Sequence, residues 1–192
     1  MAHRVALPLR SVIKELYAEY RDSEVRHADE TSWRTDGQNG YCWLFASESV
    51  SLHLYRNTRS AKVVEEVFGK EKLAGYLVVD RYAGYNRVGC QVQYCYAHLL
   101  REMKELQTKF ADEKEVEAFA EKMIELLAQA MRLQSSKPPD GEYYSEAQSI
   151  KQEIMKTCHA ASHHLAIKRR PRFLRGSGRE TLPLGHRQKS PV

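Results

Sequence analysis

The sequence has few cysteines, no long hydrophobic run and no excess of positive charge outside its last 25 residues. Four cysteines in 192 residues are too few for a disulfide framework, which excludes a small secreted scaffold. No apolar run approaches the roughly 20 residues that span a bilayer, and no apolar segment follows a basic start. The composition therefore predicts a cytoplasmic protein in a reducing compartment, with no membrane as a partner.

Positive charge is concentrated at the end of the chain. Residues 168–192 contain eight Lys or Arg and one acid, whereas the rest contains 22 bases and 24 acids. This tail could neutralise DNA phosphates in a salt-sensitive, sequence-independent way. Its candidate DNA-binding residues are Lys168, Arg169, Arg170, Arg172 and Arg175. Because Pro and Gly interrupt it, we expect the tail to be mostly disordered, and an accidental origin with no selected role is an equal alternative.

Hydrophobic periodicity predicts strands and helices that alternate through the first half of the chain. In order, these are a helix over 9–19, a strand ending at Asp29, strands over 41–46 and 50–55, a helix over 60–68, strands over 73–79 and 91–94, and a helix over 97–106. Ser60 is the predicted N-cap of the short helix, and Gly69 ends it. The continuous apolar run before Asp80 is typical of a buried, partly parallel strand.

Two longer helices are predicted after these elements. They span residues 113–133 and 146–167 and form an antiparallel hairpin, because the Pro- and Gly-containing segment 135–141 separates them. Three meandering strands followed by a helix, two strands and a helix match a ribonuclease H-like α/β core with a mixed sheet. The predicted domains are a helical lead-in (1–24), a partial ribonuclease H-like catalytic core (25–110), the helical hairpin (111–167) and the basic tail (168–192).

Two carboxylates are predicted at strand ends in this arrangement. Asp29 ends the first strand and Asp80 the fourth. Those strands are neighbours in a ribonuclease H-like sheet, so we expect the two carboxylates to converge. Two such acids can hold a pair of Mg²⁺ ions that activate water or a 3′-hydroxyl and stabilise the leaving oxygen. The alternative, to which the topology gives equal weight, is that each Asp only begins a turn.

Three ordered motifs carry a family resemblance. They are His27-Ala28-Asp29-Glu30-Thr31 with Trp33, Val79-Asp80-Arg81-Tyr82-Ala83-Gly84-Tyr85-Asn86, and Cys95-Tyr96-Ala97-His98-Leu99-Leu100-Arg101. Over roughly residues 9–170, the chain resembles the central domain of DDE transposases of the bacterial insertion-sequence sixty-six family. The resemblance implies a ribonuclease H-like fold and cutting and joining of DNA at element ends, dependent on Mg²⁺ or Mn²⁺ in a two-metal mechanism. Asp29 and Asp80 match the first and second catalytic, metal-binding acids.

The sequence departs from this family at two places. Arg81 stands where the family more often has Gly or another small residue, which could narrow access beside Asp80. The family's third acid lies in an Asn-rich segment after the hairpin, and the only acid beyond Arg170 is Glu180, whose surroundings do not match. We therefore assign no third acid and expect a truncated or frameshifted, catalytically defective copy.

Six further residues of the motifs are assigned supporting roles: His27, Glu30, Tyr82, Cys95, His98 and Arg101. Glu30 is expected to be a turn residue or to act behind the metal ligands, and Tyr82 is the best candidate for stacking on DNA. His98 and Arg101 are expected to face the active-site edge near Asp80. Cys95 and His98 also have the spacing of a zinc ligand pair, but a convincing second pair is missing, so zinc is not favoured.

Three functions stay open from the sequence. The leading hypothesis is a transposase catalytic-core fragment that has lost full activity. The second is a non-catalytic remnant that binds DNA, or binds an intact transposase or another copy of itself. The third is a nuclease that uses Asp29 and Asp80 with a third acid such as Glu30 or Glu102.

Overall fold

The computed structural model describes residues 2–136 and 138–160. Within these ranges the chain forms a mixed α/β structure with five strands and five α-helices. In order they are α1 (Ala2–Asp22), β1 (Val25–Thr35), β2 (Gln38–Ala46), β3 (Ser51–Arg56), α2 (Ala61–Phe68), β4 (Lys72–Val79), a 3₁₀ turn (Ala83–Arg87), β5 (Gly89–Tyr94), α3 (Tyr96–Lys109), α4 (Lys114–Ser136) and α5 (Asp140–Ala160). The predicted order of strands and helices is confirmed.

The five strands form one mixed sheet with the order β3-β2-β1-β4-β5. β1 is antiparallel to β2 and parallel to β4, and β2 is antiparallel to β3. A two-residue turn joins β1 to β2, and both of its residues, Asp36 and Gly37, have positive φ angles of 50° and 79°. Such angles match the twist of a tight hairpin, and Asp and Gly adopt them readily.

The position predicted for Asp29 within its strand is wrong. β1 does not end there but continues to Thr35, and its ladder with β2 runs from His27 opposite Ala46 to Thr35 opposite Gln38. Residues 31–35 are all exposed, and all but Trp33 are polar, so they lack the alternating apolar pattern by which a strand is recognised. Backbone pairing with β2 extends the strand, and Asp29 therefore lies inside it.

By its contacts, the chain divides into two compact units, between Gln93 and Tyr94. The first unit packs α1 and α2 against one face of the sheet. Its largest fully buried side chains are Trp43, Arg26, Tyr20, Tyr85, Phe45 and Leu77. Because opposite residues of an antiparallel pair share a face, Ala28 and Phe45 point into this core together.

Local signals place α2 as predicted. The Ser60 hydroxyl accepts a hydrogen bond from the backbone N–H of Lys62 at 3.3 Å, which confirms its N-cap role. Gly69, with a φ angle of 71°, ends the helix, and its N–H donates to the carbonyl of Glu65. A positive φ costs Gly little, so the helix ends where the sequence predicts.

The second unit is helical, and α3, α4 and α5 share one apolar core. Its buried residues include Leu99, Met103, Leu106, Val116, Met123, Leu126, Leu127, Ala130, Tyr143 and Ile154. The predicted break over 135–141 is shorter than expected. The hydroxyls of Ser135 and Ser136 donate to the carbonyls of Met131 and Leu133, and α4 continues to Ser136. Only 137–139 lie between the two helices.

The predicted four-part division differs from the two units. Tyr20 of α1 is fully buried in the first core, so the lead-in helix packs with the sheet. Leu99 and Met103 of α3 join the hairpin core, although the sequence places α3 with the sheet. The end of the second predicted hairpin helix and the whole basic tail lie outside the described residues. Within the described ranges, no helix is long and apolar enough to cross a bilayer.

Candidate functional site

The parallel pairing of β1 and β4 brings the two predicted acids to the same level of the sheet. His27 is paired with Val78 across the two strands. Asp29 and Asp80 each stand two residues further along, and Asp80 is the first residue after β4, as predicted. Asp29 is exposed, and its Oδ1 accepts a hydrogen bond from the backbone N–H of Glu30 at 2.9 Å.

Neighbouring residues of β1 point to opposite faces of the sheet, so Asp29 and Glu30 have different surroundings. Glu30 lies on the same face as buried Ala28 and pairs across the sheet with buried Trp43. Its side chain is only 1% exposed. The structure therefore places the carboxylate of Glu30 at the rim of the core, beside the two predicted acids. The sequence had assigned Glu30 only a supporting role.

Both oxygens of the Glu30 carboxylate accept hydrogen bonds. Oε1 accepts from Nε and Nη2 of Arg59 at 2.8 and 2.6 Å, and Oε2 accepts from the hydroxyl of Tyr85 at 2.5 Å. Tyr85 is itself 1% exposed and comes from the 3₁₀ turn that follows β4. Three donors from two distant segments of the chain thus hold this carboxylate in place.

Arg59 also links Glu30 to Asp80. Its Nη2 lies 3.7 Å from Oδ2 of Asp80, while the other Asp80 oxygen accepts a hydrogen bond from the backbone N–H of Tyr82 at 2.8 Å. Arg59 precedes the N-cap of α2 and is 43% exposed, and the Asp80 side chain is 24% exposed. One guanidinium therefore stands between a buried carboxylate and a partly exposed one.

Tyr82 packs against the cluster formed by Glu30, Arg59, Asp80 and Tyr85. Its ring centroid lies 4.5 Å from the guanidinium carbon of Arg59, a distance typical of a cation–π contact, and its hydroxyl donates to the Arg59 carbonyl. Tyr82 packs edge-to-face on Tyr85 with ring centroids 5.7 Å apart. A Cβ atom at Gly84 would overlap the Tyr82 ring, so Gly is required there for this ring position.

The pKa values follow from burial and from these contacts. Burial raises the pKa of the Glu30 carboxyl, and the charge of Asp80 adds to the rise, although hydrogen bonds from Tyr85 and Arg59 oppose it. The hydrogen bond to Glu30 raises the pKa of Arg59, which keeps the guanidinium charged. Burial, and then the bond to Glu30, raise the pKa of the Tyr85 phenol, so Tyr85 is the donor.

This arrangement does not fit a pair of divalent cations as it stands. Glu30 has both oxygens engaged, Asp80 has one oxygen on a backbone N–H, and a guanidinium faces the other oxygen. Within residues 2–136 and 138–160, no three His, Cys, Asp or Glu side chains are grouped so that they could hold a metal ion. The carboxylates are close enough to share a cation, and that cation is Arg59.

The other predicted site residues lie on β1, in the second unit or, for Lys168, Arg169, Arg170, Arg172 and Arg175, outside the described residues. Burial lowers the pKa of His27, which precedes the acids on β1. Cys95 is the N-cap residue of α3, and the Nδ1 atom of His98 is buried without a hydrogen-bond partner within the described part of the chain. Arg101 is exposed on the same helix. These three belong to the second unit, and their predicted role near Asp80 stays a prediction.

Two residues of this cluster, Arg59 and Tyr85, were not predicted as site residues from the sequence. Tyr85 lies within the second motif, five residues after Asp80, and strand alternation does not predict its direction there because a 3₁₀ turn follows the strand. Arg59 lies directly before the predicted N-cap Ser60, at the start of a helix whose position was predicted correctly. One signal could have identified Arg59. It is an arginine at the predicted junction between a strand and a helix, in a chain whose neighbouring predicted strands carry the acids Glu30 and Asp80.

Comparisons with known proteins identify similarities that cover most of the chain. A family model described as Transposase IS66 family matches residues 1–184, a longer range than the motifs suggested. Among solved structures, the chain is similar to one described as the cryo-EM structure of the simian T-cell lymphotropic virus intasome in complex with PP2A regulatory subunit B56 gamma. The identity is 8% and the TM-score 0.31, over 88% of this chain and 56% of that chain. At this TM-score the similarity carries no argument. Curated protein sequences gave no match.

Proposed function

The chain belongs to the IS66 family of transposases, as its motifs predict, and from this premise we propose that it is part of a transposase catalytic core. The proposed reaction is DDE-type cleavage and strand transfer of DNA at the ends of an insertion sequence. Its proposed partners are element-end DNA and an intact transposase or a second copy of the chain, in the cytoplasm.

One observation carries the proposal, namely the position of the acids on two neighbouring parallel strands. Asp29 on β1 and Asp80 after β4 stand at the same level, two residues beyond the last pair of the ladder. The strand order β3-β2-β1-β4-β5, with three antiparallel strands first, is what a ribonuclease H-like fold would have. These features support a ribonuclease H-like core in which the sheet presents carboxylates to DNA.

The proposed cofactor is Mg²⁺ or Mn²⁺, as in the family that the motifs resemble. When bound, such ions activate the attacking oxygen and stabilise the leaving one. In the proposal, Asp80 is the principal carboxylate, because it is partly exposed and fixed by the backbone N–H of Tyr82. Asp29 is the other metal-binding carboxylate of the proposal. The Arg59 guanidinium, which lies over the Tyr82 ring and is 43% exposed, would face the DNA backbone.

A second candidate function is a non-catalytic remnant that binds DNA or an intact transposase. It is favoured by the contacts of the carboxylates, since Arg59 donates to Glu30 and lies 3.7 Å from Oδ2 of Asp80. A nuclease with Glu30 as the third acid is a weaker candidate, because Arg59 and Tyr85 already engage its carboxylate.

The test is nicking of a plasmid that carries the terminal repeats flanking this chain's own element. The chain is incubated with Mn²⁺ or Mg²⁺, and nicked and linear products are separated on a gel. We expect weak metal-dependent nicking, because the sequence predicts a catalytically defective copy. It should fall by at least about 100-fold in Asp80→Asn, since removing one catalytic electrostatic group typically costs that much. Asp29→Asn is expected to fall similarly.

Asp36→Asn is the matched control. It removes a carboxylate from the tight β1–β2 turn, where the φ angle of 50° suits Asn as well as Asp. Equal nicking by all four proteins would refute the assignment of the acids. DNA binding without nicking, unaffected by either acid, would favour the non-catalytic remnant.

A further inference from the structure

Two large aromatic side chains are exposed on the face of the sheet that does not carry α1 and α2. Residues of β1 alternate between the two faces, so Trp33 lies on the same face as Asp29 and opposite to the buried Ala28. Trp33 is 58% exposed, whereas the other tryptophan, Trp43, is fully buried. Tyr55 of β3 is 45% exposed. Because tryptophan usually buries most of its large ring, Trp33 is available to a partner.

Gly40 brings the two exposed rings to the same part of this face. Trp33 is paired with Gly40 across β1 and β2, and Tyr55 is paired with Cys42 across β2 and β3. Paired residues share a face, and so do Gly40 and Cys42, which are two residues apart on one strand. A Cβ atom at Gly40 would overlap the hydroxyl end of the Tyr55 ring. The Tyr55 ring therefore lies over the Gly40 backbone, beside the position of Trp33.

Neither ring is engaged within the described ranges 2–136 and 138–160. There, the rings of Trp33 and Tyr55 contact no other aromatic ring, and the indole N–H and the phenol hydroxyl make no hydrogen bond. Tyr82, the stacking candidate from the sequence, differs from them, because the Arg59 guanidinium lies 4.5 Å from its ring centroid and Tyr85 packs on it edge-to-face. Trp33 and Tyr55 thus offer the open ring surface that Tyr82 lacks.

A positive charge accompanies the rings at the same end of the β1–β2 hairpin. Arg34 follows Trp33 and is exposed, and its Nε and Nη2 donate to the carbonyl of Gly37 at 3.3 and 3.2 Å. Within the part of the chain that is described, it forms no ion pair, including with Asp36 of the same turn. Asp29 lies four residues back, about 13 Å along the strand. That is beyond the Debye length of about 8 Å, so Asp29 repels an anion beside Arg34 only weakly.

We propose that Trp33 and Tyr55 form a stacking surface for the unpaired bases of single-stranded DNA, and that Arg34 contacts a phosphate of the same strand. Exposed rings on a sheet, together with a cation, bind single strands with little dependence on sequence. The inference rests on the proposed function, since Asp29 on this face is the reason to expect DNA there. A separation of about 13 Å corresponds to about four nucleotides at 3.4 Å each.

The first test is the affinity of the full chain for a fluorescein-labelled oligothymidylate of about 12 nucleotides, measured by anisotropy. Trp33→Leu should weaken binding at least about fivefold, because base stacking is lost. Tyr55→Leu should weaken it in the same direction, whereas Trp33→Tyr, which keeps a ring, should stay within about threefold. The basic tail is present in every variant, so its contribution cancels.

Tyr144→Leu is the matched control, because it removes an aromatic ring of similar exposure (44%) from the second unit. Its affinity for the oligothymidylate should be unchanged. Circular dichroism verifies that each variant is folded. An affinity of Trp33→Leu equal to that of the unmodified chain would overturn the proposal, and so would an equal loss in Tyr144→Leu.

Tryptophan emission tests the stacking itself and does not depend on Trp33→Leu folding. In the unmodified chain, the single strand should quench the emission of Trp33. The same strand annealed to its complement should not, because its bases are stacked inside the duplex. Trp33→Tyr leaves Trp43 as the remaining tryptophan and should bind without quenching. Binding of the single strand without quenching in the unmodified chain, or equal quenching by the duplex, would overturn the proposal.

Arg34→Gln tests the phosphate contact. The slope of log K against log salt concentration for the oligothymidylate should become shallower by about 0.7, the value for one phosphate of a single strand. An unchanged slope would overturn the role assigned to Arg34.

The outcomes separate this inference from the proposed function. Single-strand binding with quenching, but without nicking by any form of the chain, would support the inference and contradict the proposed function. Nicking that depends on Asp80, with no effect of Trp33→Leu on binding, would do the reverse. If Trp33→Leu dissociates a dimer in analytical ultracentrifugation and leaves DNA affinity unchanged, this face is a protein interface and the proposal is overturned.

Discussion

The two compact units differ in the kind of side chain that they bury. The first buries Arg26 completely, with its guanidinium donating to the carbonyls of Arg21 and Ala74, and holds the Glu30 carboxylate at the rim of its core. The buried core of the second is built from Leu, Met, Ile, Val, Phe and Ala, with Tyr143 and Cys158.

This difference supports the proposal that the first unit contains the catalytic residues. Buried charges cost free energy and persist where they are paired and hydrogen-bonded, and they cluster at functional sites more often than in purely structural cores. At the end of β4, the first unit combines the buried carboxylate of Glu30, the partly exposed carboxylate of Asp80 and the guanidinium of Arg59. The described core of the second unit is apolar, so its stability depends on the volume of its side chains.

Truncating a buried side chain of the helical unit should have the largest effect on stability. Leu127 is 1% exposed in the middle of α4. Leu127→Ala should lower the free energy of unfolding by about 2–5 kcal/mol, because it removes apolar contacts and leaves a cavity. Urea unfolding measures the change. Met131→Ala on the same helix is the control, since Met131 is 43% exposed, and a loss there as large as at Leu127 would contradict the described packing.

Removing one hydroxyl from the polar rim of the first unit should have an intermediate effect. Tyr85→Phe keeps the ring that packs on Tyr82 but removes the donor to Glu30. We expect a loss of about 1–3 kcal/mol in unfolding free energy, because a buried acceptor is left with one donor fewer. Tyr144 is 44% exposed, so Tyr144→Phe should leave the free energy of unfolding unchanged. Equal losses at the two positions would contradict the described difference between the units.

The smallest expected effect is a pH dependence that arises from Glu30. Burial raises its pKa in the folded chain above the usual 4.5, so the stability it contributes is greatest at low pH and is lost as pH rises through the raised value. Glu30→Gln does not titrate. Between about pH 4 and about pH 7, in metal-free buffer, the variant should therefore gain stability relative to the unmodified chain. A relative loss over that range would mean that the pKa is lowered instead.

The sequence predicted the order of strands and helices because apolar periodicity, Ser60 and Gly69 are local signals. It misplaced Asp29 at a strand end because residues 31–35 are exposed and, apart from Trp33, polar, and only pairing with β2 makes them a strand. The contact of Arg59 with Glu30 spans 29 residues and that of Tyr85 with Glu30 spans 55. No local pattern encodes such contacts, so the acids were predictable, whereas their counter-cation was not.

The most direct measurement is the broadening of amide resonances by small amounts of Mn²⁺ in the labelled chain, compared with Asp80→Asn. The central claim is that the carboxylate cluster at the end of β4 is the functional centre. It predicts that the first signals to broaden are those of Glu30, Asp80 and Tyr82, and that Asp80→Asn abolishes this broadening. Strongest broadening at Cys95 and His98, or a pattern that Asp80→Asn leaves unchanged, would contradict the claim.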